Sequence, residues 1–328
     1  MAIPNPARAV LAAIAALAVG LGVVELAPMA SARTAVPSDG VWPSFSSPPP
    51  VVPAPKPTYL KKVPVSVTVS PGRGAVVGVA YPITVTFSRP VNRRLAQAAM
   101  IVSTSRRTTE GVWSWTSTRT AIYRTRAFWP AYTTINVSVR LSRKFVGTVN
   151  SRTAIIGGRA ANKSVTFRTS RAQISYINGR TDRMSVFING KRVKKFGVSL
   201  GKPGFLTRSG IKVTTDKYVV RRMTSRELGL RKPNEQYDLQ VPWAVRITPT
   251  GEFVHGAPWA AGRIGHWNGS HGCTNLLTSP AKWFYQHTIP GDPVITVGTG
   301  RKMEPWNGLG GPWNVSWAQW RAHSYPTA

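Results

Sequence analysis

Between residues 61 and 169 the chain is written in short alternating runs, and that pattern limits its fold more than any other feature. Val65-Ser-Val-Thr-Val-Ser70, Tyr81-Pro-Ile-Thr-Val-Thr-Phe87, Trp113-Ser-Trp115, Thr134-Ile-Asn-Val-Ser-Val139 and Val165-Thr-Phe167 place an apolar residue at every second position. Successive side chains of a strand point to opposite faces, so each run buries one face and leaves the other to solvent. Gly, Pro, Asn and Ser separate the runs, and residues 95–100 suffice for one helical turn only. A stretch of this size and pattern fits an immunoglobulin-like β-sandwich over residues 60–170. The chain holds one cysteine, Cys273, so that sandwich stands on packing without a disulfide.

Residues 171–299 form a second β-rich region. Met184-Ser-Val-Phe-Ile188 and Lys191-Arg-Val-Lys-Lys-Phe196 flank Asn189-Gly190, a dipeptide that accepts positive φ at both centres of a type I′ turn and predicts a hairpin. Residues 212–220, 243–247, 253–255 and 293–297 read as further strands. Ser279-Pro280 supplies an N-cap and N1 pair for a short helix through Tyr285. Residues 223–237 are polar and read as a loop over the scaffold, the kind of segment that carries binding. The fold class is therefore mostly β. Residues 300–328 carry Trp306, Trp313, Trp317 and Trp320, expected to pack this extension onto the two domains.

Ahead of the sandwich, Arg8 precedes an apolar run over residues 9–24 that Glu25 breaks, and Ala30-Ser31-Ala32 has the small-residue pattern of a cleavage site. Residues 1–32 are expected to act as a signal peptide or an uncleaved anchor, with export in either case. Residues 33–59, rich in Pro, Ser and Val, read as an extended spacer. The formal charge is +32, and residues 61–169 hold eighteen Lys or Arg against one acid, Glu110. Such a domain attracts anionic polymers. With an export signal, these are wall-linked polyanions and anionic headgroups. No nucleic-acid recognition motif is present, and contact with the membrane is expected only through the N-terminal segment.

The chemistry concentrates in Ser270-His271-Gly272-Cys273-Thr274-Asn275. A free thiol is mostly protonated near neutral pH, and a neighbouring imidazole can take its proton. In an extended segment His271 and Cys273 would share a face, so local spacing makes His271 the candidate base. Gly272 between them leaves the backbone bare. The plain alternative is a small buried cysteine without chemistry. His255, His266, His271 and Cys273 include metal-ligating types, but no second cysteine or acidic cluster completes a zinc site.

Taken with Thr250-Gly-Glu-Phe-Val-His255-Gly-Ala-Pro-Trp259 and Gly265, this block resembles the active-site signature of the bacterial cell-wall L,D-transpeptidases, the YkuD-type catalytic domain. There a Phe-Val-His segment precedes Ser/Thr-His-Gly-Cys-x-Asn/Arg, and here His255 and Ser270 lie fifteen positions apart. The region around Trp113-Ser-Trp115 is similar to the Ig-like domain of actinobacterial members, and Gly308-Leu-Gly310, Trp313-Asn314 and Trp317-Ala-Gln-Trp320 to their C-terminal pattern. The resemblance implies Cys273 as nucleophile, His255 rather than His271 as base, and the Gly256 carbonyl as its orienting partner. It further implies His271 as support for the thiolate or oxyanion, and backbone N–H groups at Gly272 and Cys273 as oxyanion donors. Residues 223–237 would be a lid, with Met223, Tyr237, Thr250, Gly251, Ser270 and Asn275 at the donor site and His266 and Trp267 on a variable loop. Thr224 replaces the family's usual Asp, and Gly256 stands where many members have Ser. The implied reaction joins a peptidoglycan tetrapeptide stem to a diaminopimelate amine, releasing D-Ala and forming 3→3 cross-links. It needs no cofactor, and carbapenems are expected to acylate Cys273. Hydrolysis of the same thioester would make a carboxypeptidase or endopeptidase. A vestigial thiol would leave a wall-binding protein.

Overall fold

The structure, a computed structural model, describes residues 61–325; the expected N-terminal signal or anchor and the proline-rich spacer lie outside the described residues. In the first domain, one four-stranded sheet runs in the order Val67–Ser70, Ile83–Phe87, Thr120–Thr125, Gly111–Trp115. A second runs Val76–Val77, Asn162–Thr169, Thr134–Arg140, Met100–Thr104. Alternation does the sorting: Ile83, Val85 and Phe87 are buried while Thr84 and Thr86 are not. Ile135, Val137, Val139 and Phe167 complete this core, and the rings of Phe87 and Trp115 stack with centroids 5.7 Å apart. A fully buried Phe, Ile or Val contributes on the order of 1.5–3 kcal/mol, which is how the sandwich stands without a disulfide.

The run expected as one strand at 65–70 is two. Lys61–Val65 pairs in parallel with Thr153–Gly157 in a small third sheet, whereas Val67–Ser70 pairs with Ile83–Phe87. Ser66 between them donates its N–H to Ser88 Oγ at 2.9 Å. Val65 and Val67 are both buried, so unbroken alternation spans a change of sheet.

In the second domain, a six-stranded sheet runs Lys191–Gly197, Arg183–Ile188, Gln173–Asn178, Pro293–Val297, Arg208–Val213, Arg301–Lys302. The Asn189-Gly190 hairpin forms, with φ of 50° and 83° at its two centres. A four-stranded sheet runs Lys217–Thr224, Asp238–Arg246, Phe253–Gly256, Thr274–Leu276, and the helix Thr278–His287 packs on its two middle strands. Met184, Val186, Leu200, Val254, Leu276 and Phe284 belong to the core between these layers.

Two expectations are corrected here. Residues 212–220 are not one strand, because Thr214 breaks the run: its N–H donates to Asp292 O and its Oγ1 to Ile289 O, while Thr215 N–H donates to Arg246 O. The chain thereby passes from one sheet to the other. The helix begins at Thr278 after Leu277, with no side-chain cap, and runs to His287 rather than Tyr285. Pro280 lies inside its first turn, where a missing N–H costs nothing.

The C-terminal extension ties the two domains. Trp313 Nε1 donates to Ala80 O at 2.8 Å in the first domain, and Asn314 brackets the Ile211 peptide of the second, accepting from its N–H and donating to its carbonyl, each at 2.8 Å. The Arg124 guanidinium lies 5.0–5.2 Å from the ring centroids of Trp313, Trp317 and Trp320 and donates to Val315 O. Cation–π contact explains why an arginine on a buried strand position faces this tail. Trp306 alone of the four tryptophans is largely exposed, at 70%.

Candidate active site

Cys273 and His255 meet because their segments are neighbours in one sheet. Phe253–Gly256 and Thr274–Leu276 pair in parallel, with Val254 opposite Thr274 and His255 opposite Asn275. Cys273 thus enters the sheet one residue before its strand, beside Phe253. The turn that delivers it is not extended, as local spacing had suggested. Gly272 has φ of 118°, a value side chains disfavour, and the chain bends at His271 and Gly272. The His271 ring lies instead between Phe205 and Tyr237, centroids 4.7 and 5.0 Å away, and its buried Nε2 has no hydrogen-bond partner.

Ser270 holds this turn. Its Oγ donates to Cys273 O at 2.7 Å and accepts from Gly272 N–H at 3.1 Å. The Gly272 N–H, expected as an oxyanion donor, is already committed, leaving Cys273 N–H as the turn's candidate. The Ser270 hydroxyl, expected at the donor site, is engaged by backbone. Thr207 Oγ1 braces the same turn by donating to Gly272 O at 2.9 Å.

A cavity of about 340 Å³ opens over the sulfur. Met223, Tyr237, Thr250, Gly251, His255, Ser270, His271, Cys273 and Asn275 all line it, whereas Gly256 and Gly272 do not. His266 and Trp267 stand outside its wall, Trp267 carrying the Arg263 guanidinium at 4.4 Å from its ring centroid. Sequence reasoning missed Leu239, Val241, Arg246, Trp259 and Arg263, which also line the cavity. Leu239 and Val241 had a signal, since they share one face of the strand Asp238–Arg246. Arg246 and Arg263 had none.

His255 is 4% exposed. Its Nδ1 lies 2.9 Å from Gly256 O; a carbonyl only accepts, so Nδ1 carries the hydrogen and Nε2 keeps its lone pair. Burial pushes the imidazole pKa down to about 4, the Gly256 contact opposing it. Burial pushes the Cys273 thiol up to about 12; the Phe253 N–H, Lys212 and Arg246 work against this and Glu252 adds to it. Sγ–H donates to Gly251 O at 3.6 Å. The resting pair is therefore a neutral imidazole and a neutral thiol. His271 is lowered by burial and by Lys202, and burial raises the Tyr237 phenol to about 12. Among the described residues no three His, Cys, Asp or Glu side chains converge as metal ligands.

A bacterial Ig domain followed by an L,D-transpeptidase catalytic domain is the class this fold and site define: residues 57–144 match the first family and 172–296 the second. The chain belongs to the L,D-transpeptidase family. It is similar to L,D-transpeptidase 2 of Mycobacterium tuberculosis, 35% identical over 257 residues that make up 77% of this chain and 61% of that protein, less than two thirds of its length. L,D-transpeptidase 1 of Mycobacterium tuberculosis is 34% identical over 242 residues, 73% of this chain and 87% of that protein. Among solved structures, the L,D-transpeptidase LdtMt1 in complex with imipenem aligns with a TM-score of 0.60 at 32% identity, covering 72% of this chain and all of that one.

Proposed function

We propose that the protein is a peptidoglycan L,D-transpeptidase that forms 3→3 cross-links through a Cys273 thioester. The observation that carries this is the placement of a thiol and a neutral, tautomer-locked imidazole on adjacent parallel segments at the floor of one cavity. His255 Nε2 takes the thiol proton, and Cys273 Sγ attacks the peptide carbonyl before the terminal D-Ala of a tetrapeptide stem. The Cys273 N–H faces the developing oxyanion. The C–N bond breaks, the proton on His255 passes to the leaving amine, and D-Ala departs. The side-chain amine of a second stem then attacks the thioester, His255 accepts its proton, and the thiol is restored. A resting pair without charge avoids holding a buried thiolate before substrate arrives.

Similarity to the imipenem-bound relative supports carbapenem acylation at the same sulfur. The test of transfer is product analysis with a purified disaccharide-tetrapeptide. A cross-linked dimer lacking one D-Ala is expected; a tripeptide monomer alone would mean hydrolysis, and no product with no adduct would mean wall binding only.

The same reading places the protein outside the cytoplasmic membrane, with residues 1–32 as signal or anchor and the basic Ig-like domain on anionic wall polymers. Its eighteen Lys or Arg face one acid between residues 61 and 169. Binding to isolated sacculi should weaken steeply as salt rises, because exposed charges are screened beyond about 10 Å at 0.1 M. Salt-insensitive binding would move that role to apolar contact at exposed Trp306.

A further inference from the structure

Lys212 is 0% exposed, and no step of the reaction passes through it. An ammonium withdrawn from water requires a partner, and its Nζ lies 2.9 Å from Glu252 Oε2 and 3.3 Å from Thr296 Oγ1. Glu252 is itself 3% exposed. Its Oε1 accepts from the Arg208 N–H at 3.0 Å and from Arg208 Nη1 at 3.1 Å. Arg208 Nε in turn meets Glu304 at 2.5 Å, and Asn307 joins Glu304 to Thr250 at 2.8 and 2.9 Å. A polar chain thus runs from buried Lys212 and Glu252 out to half-buried Glu304 and to Thr250 in the cavity wall.

Its position gives it a task. Glu252 stands between the two residues whose main chain touches the sulfur: the Gly251 carbonyl receives Sγ–H, and the Phe253 N–H faces Sγ. The Glu252 side chain points away from the cavity, beneath the turn, with its Cγ 3.7 Å from the point a Cβ on Gly272 would occupy. The carbonyl and the N–H belong to the peptide units on either side of its Cα, so moving the carboxylate moves both.

We infer that Lys212 is a positioning residue for Cys273: through Glu252 it holds the Gly251 carbonyl and the Phe253 N–H around Sγ, and its positive charge offsets the carboxylate as the thiolate forms. This rests on the nucleophilic role proposed above for Cys273. The charged and titratable groups acting at the sulfur are Lys212 from one strand, Glu252 from the turn, Arg246 from the neighbouring strand and the Tyr237 phenol, with the imidazoles of His255 and His271 lining the same cavity. Lys212 and Arg246 favour the thiolate and Glu252 disfavours it.

The test is the pH dependence of Cys273 alkylation by iodoacetamide, read by intact mass on the full chain, for the unchanged protein, Lys212→Met and Glu252→Gln. Alkylation needs only the thiol, so it reports even where no cross-link forms. One pKa unit is a tenfold change in thiolate at a fixed pH below the thiol's pKa. Loss of the ammonium should slow alkylation about tenfold and move the profile to higher pH; loss of the carboxylate charge should speed it by about the same factor. A merely architectural pair would loosen the turn similarly whichever partner is lost, so opposite directions are the signature. Shifts in one direction, or none in either variant, would overturn the inference. If Lys212→Met does not fold, the near-isosteric Glu252→Gln decides: faster alkylation supports the role, and an unchanged or slower rate ends it. Opposite shifts without transfer in the unchanged protein would overturn the proposed function and leave the role of Lys212 standing.

Discussion

Cys273→Ala should remove cross-linking and carbapenem adduct formation together, a loss of about 10⁴-fold or more, while leaving the fold in place. The double displacement has no alternative covalent group, since the chain contains no other thiol. The fold should persist because the turn is held by Ser270 and Thr207 through backbone groups that alanine retains. Intact-mass spectra after carbapenem exposure, beside product analysis and a thermal melt, check all three statements. An adduct on the alanine variant would place the reactive group elsewhere and end the thioester mechanism.

His255→Ala should lower acylation by about 10²–10⁴-fold, the usual contribution of a positioned general base. His271→Gln should cost far less, because the bend at Gly272 turns that ring toward Phe205 and Tyr237. The pH dependence carries the same assignment. The His255 pKa is held near 4, so its base form is fully present above that value and is lost as pH falls through it. Acylation by the unchanged protein should therefore show no acid limb from His255 between about pH 5 and 7, where an ordinary histidine would titrate. Single-turnover acylation followed by mass would read both effects. Full activity in His255→Ala with loss in His271→Gln would transfer the base role to His271.

Much of the architecture was legible because it is local. Period-two alternation and the Asn189-Gly190 turn need only neighbouring residues to declare themselves, and both appear in the structure. What failed were the places where a strand-like run continues while the partner changes. Ser66 and Thr214 each divide a smooth run between two sheets, and only the hydrogen bonds made to Ser88, Ile289 and Asp292 show it. The helix start also differs, since a good capping dipeptide is only a preference and the helix begins earlier, at Thr278, with Ala281 and Phe284 buried.

The site divides along the same line. Residue identity alone determined that any nucleophilic thiol chemistry must fall on Cys273, and the motif spacing set the two histidines beside it as candidates. Tertiary structure decided how those groups face one another. Parallel pairing of Phe253–Gly256 with Thr274–Leu276 brings His255 alongside the sulfur's strand, whereas across the bend at Gly272 the nearer histidine packs between Phe205 and Tyr237. It likewise committed the Gly272 N–H to Ser270 and buried Lys212 against Glu252, forty positions along the chain. Composition and periodicity report which face a residue prefers; which distant group it meets there depends on strand order and register, and these are settled only when the whole core closes.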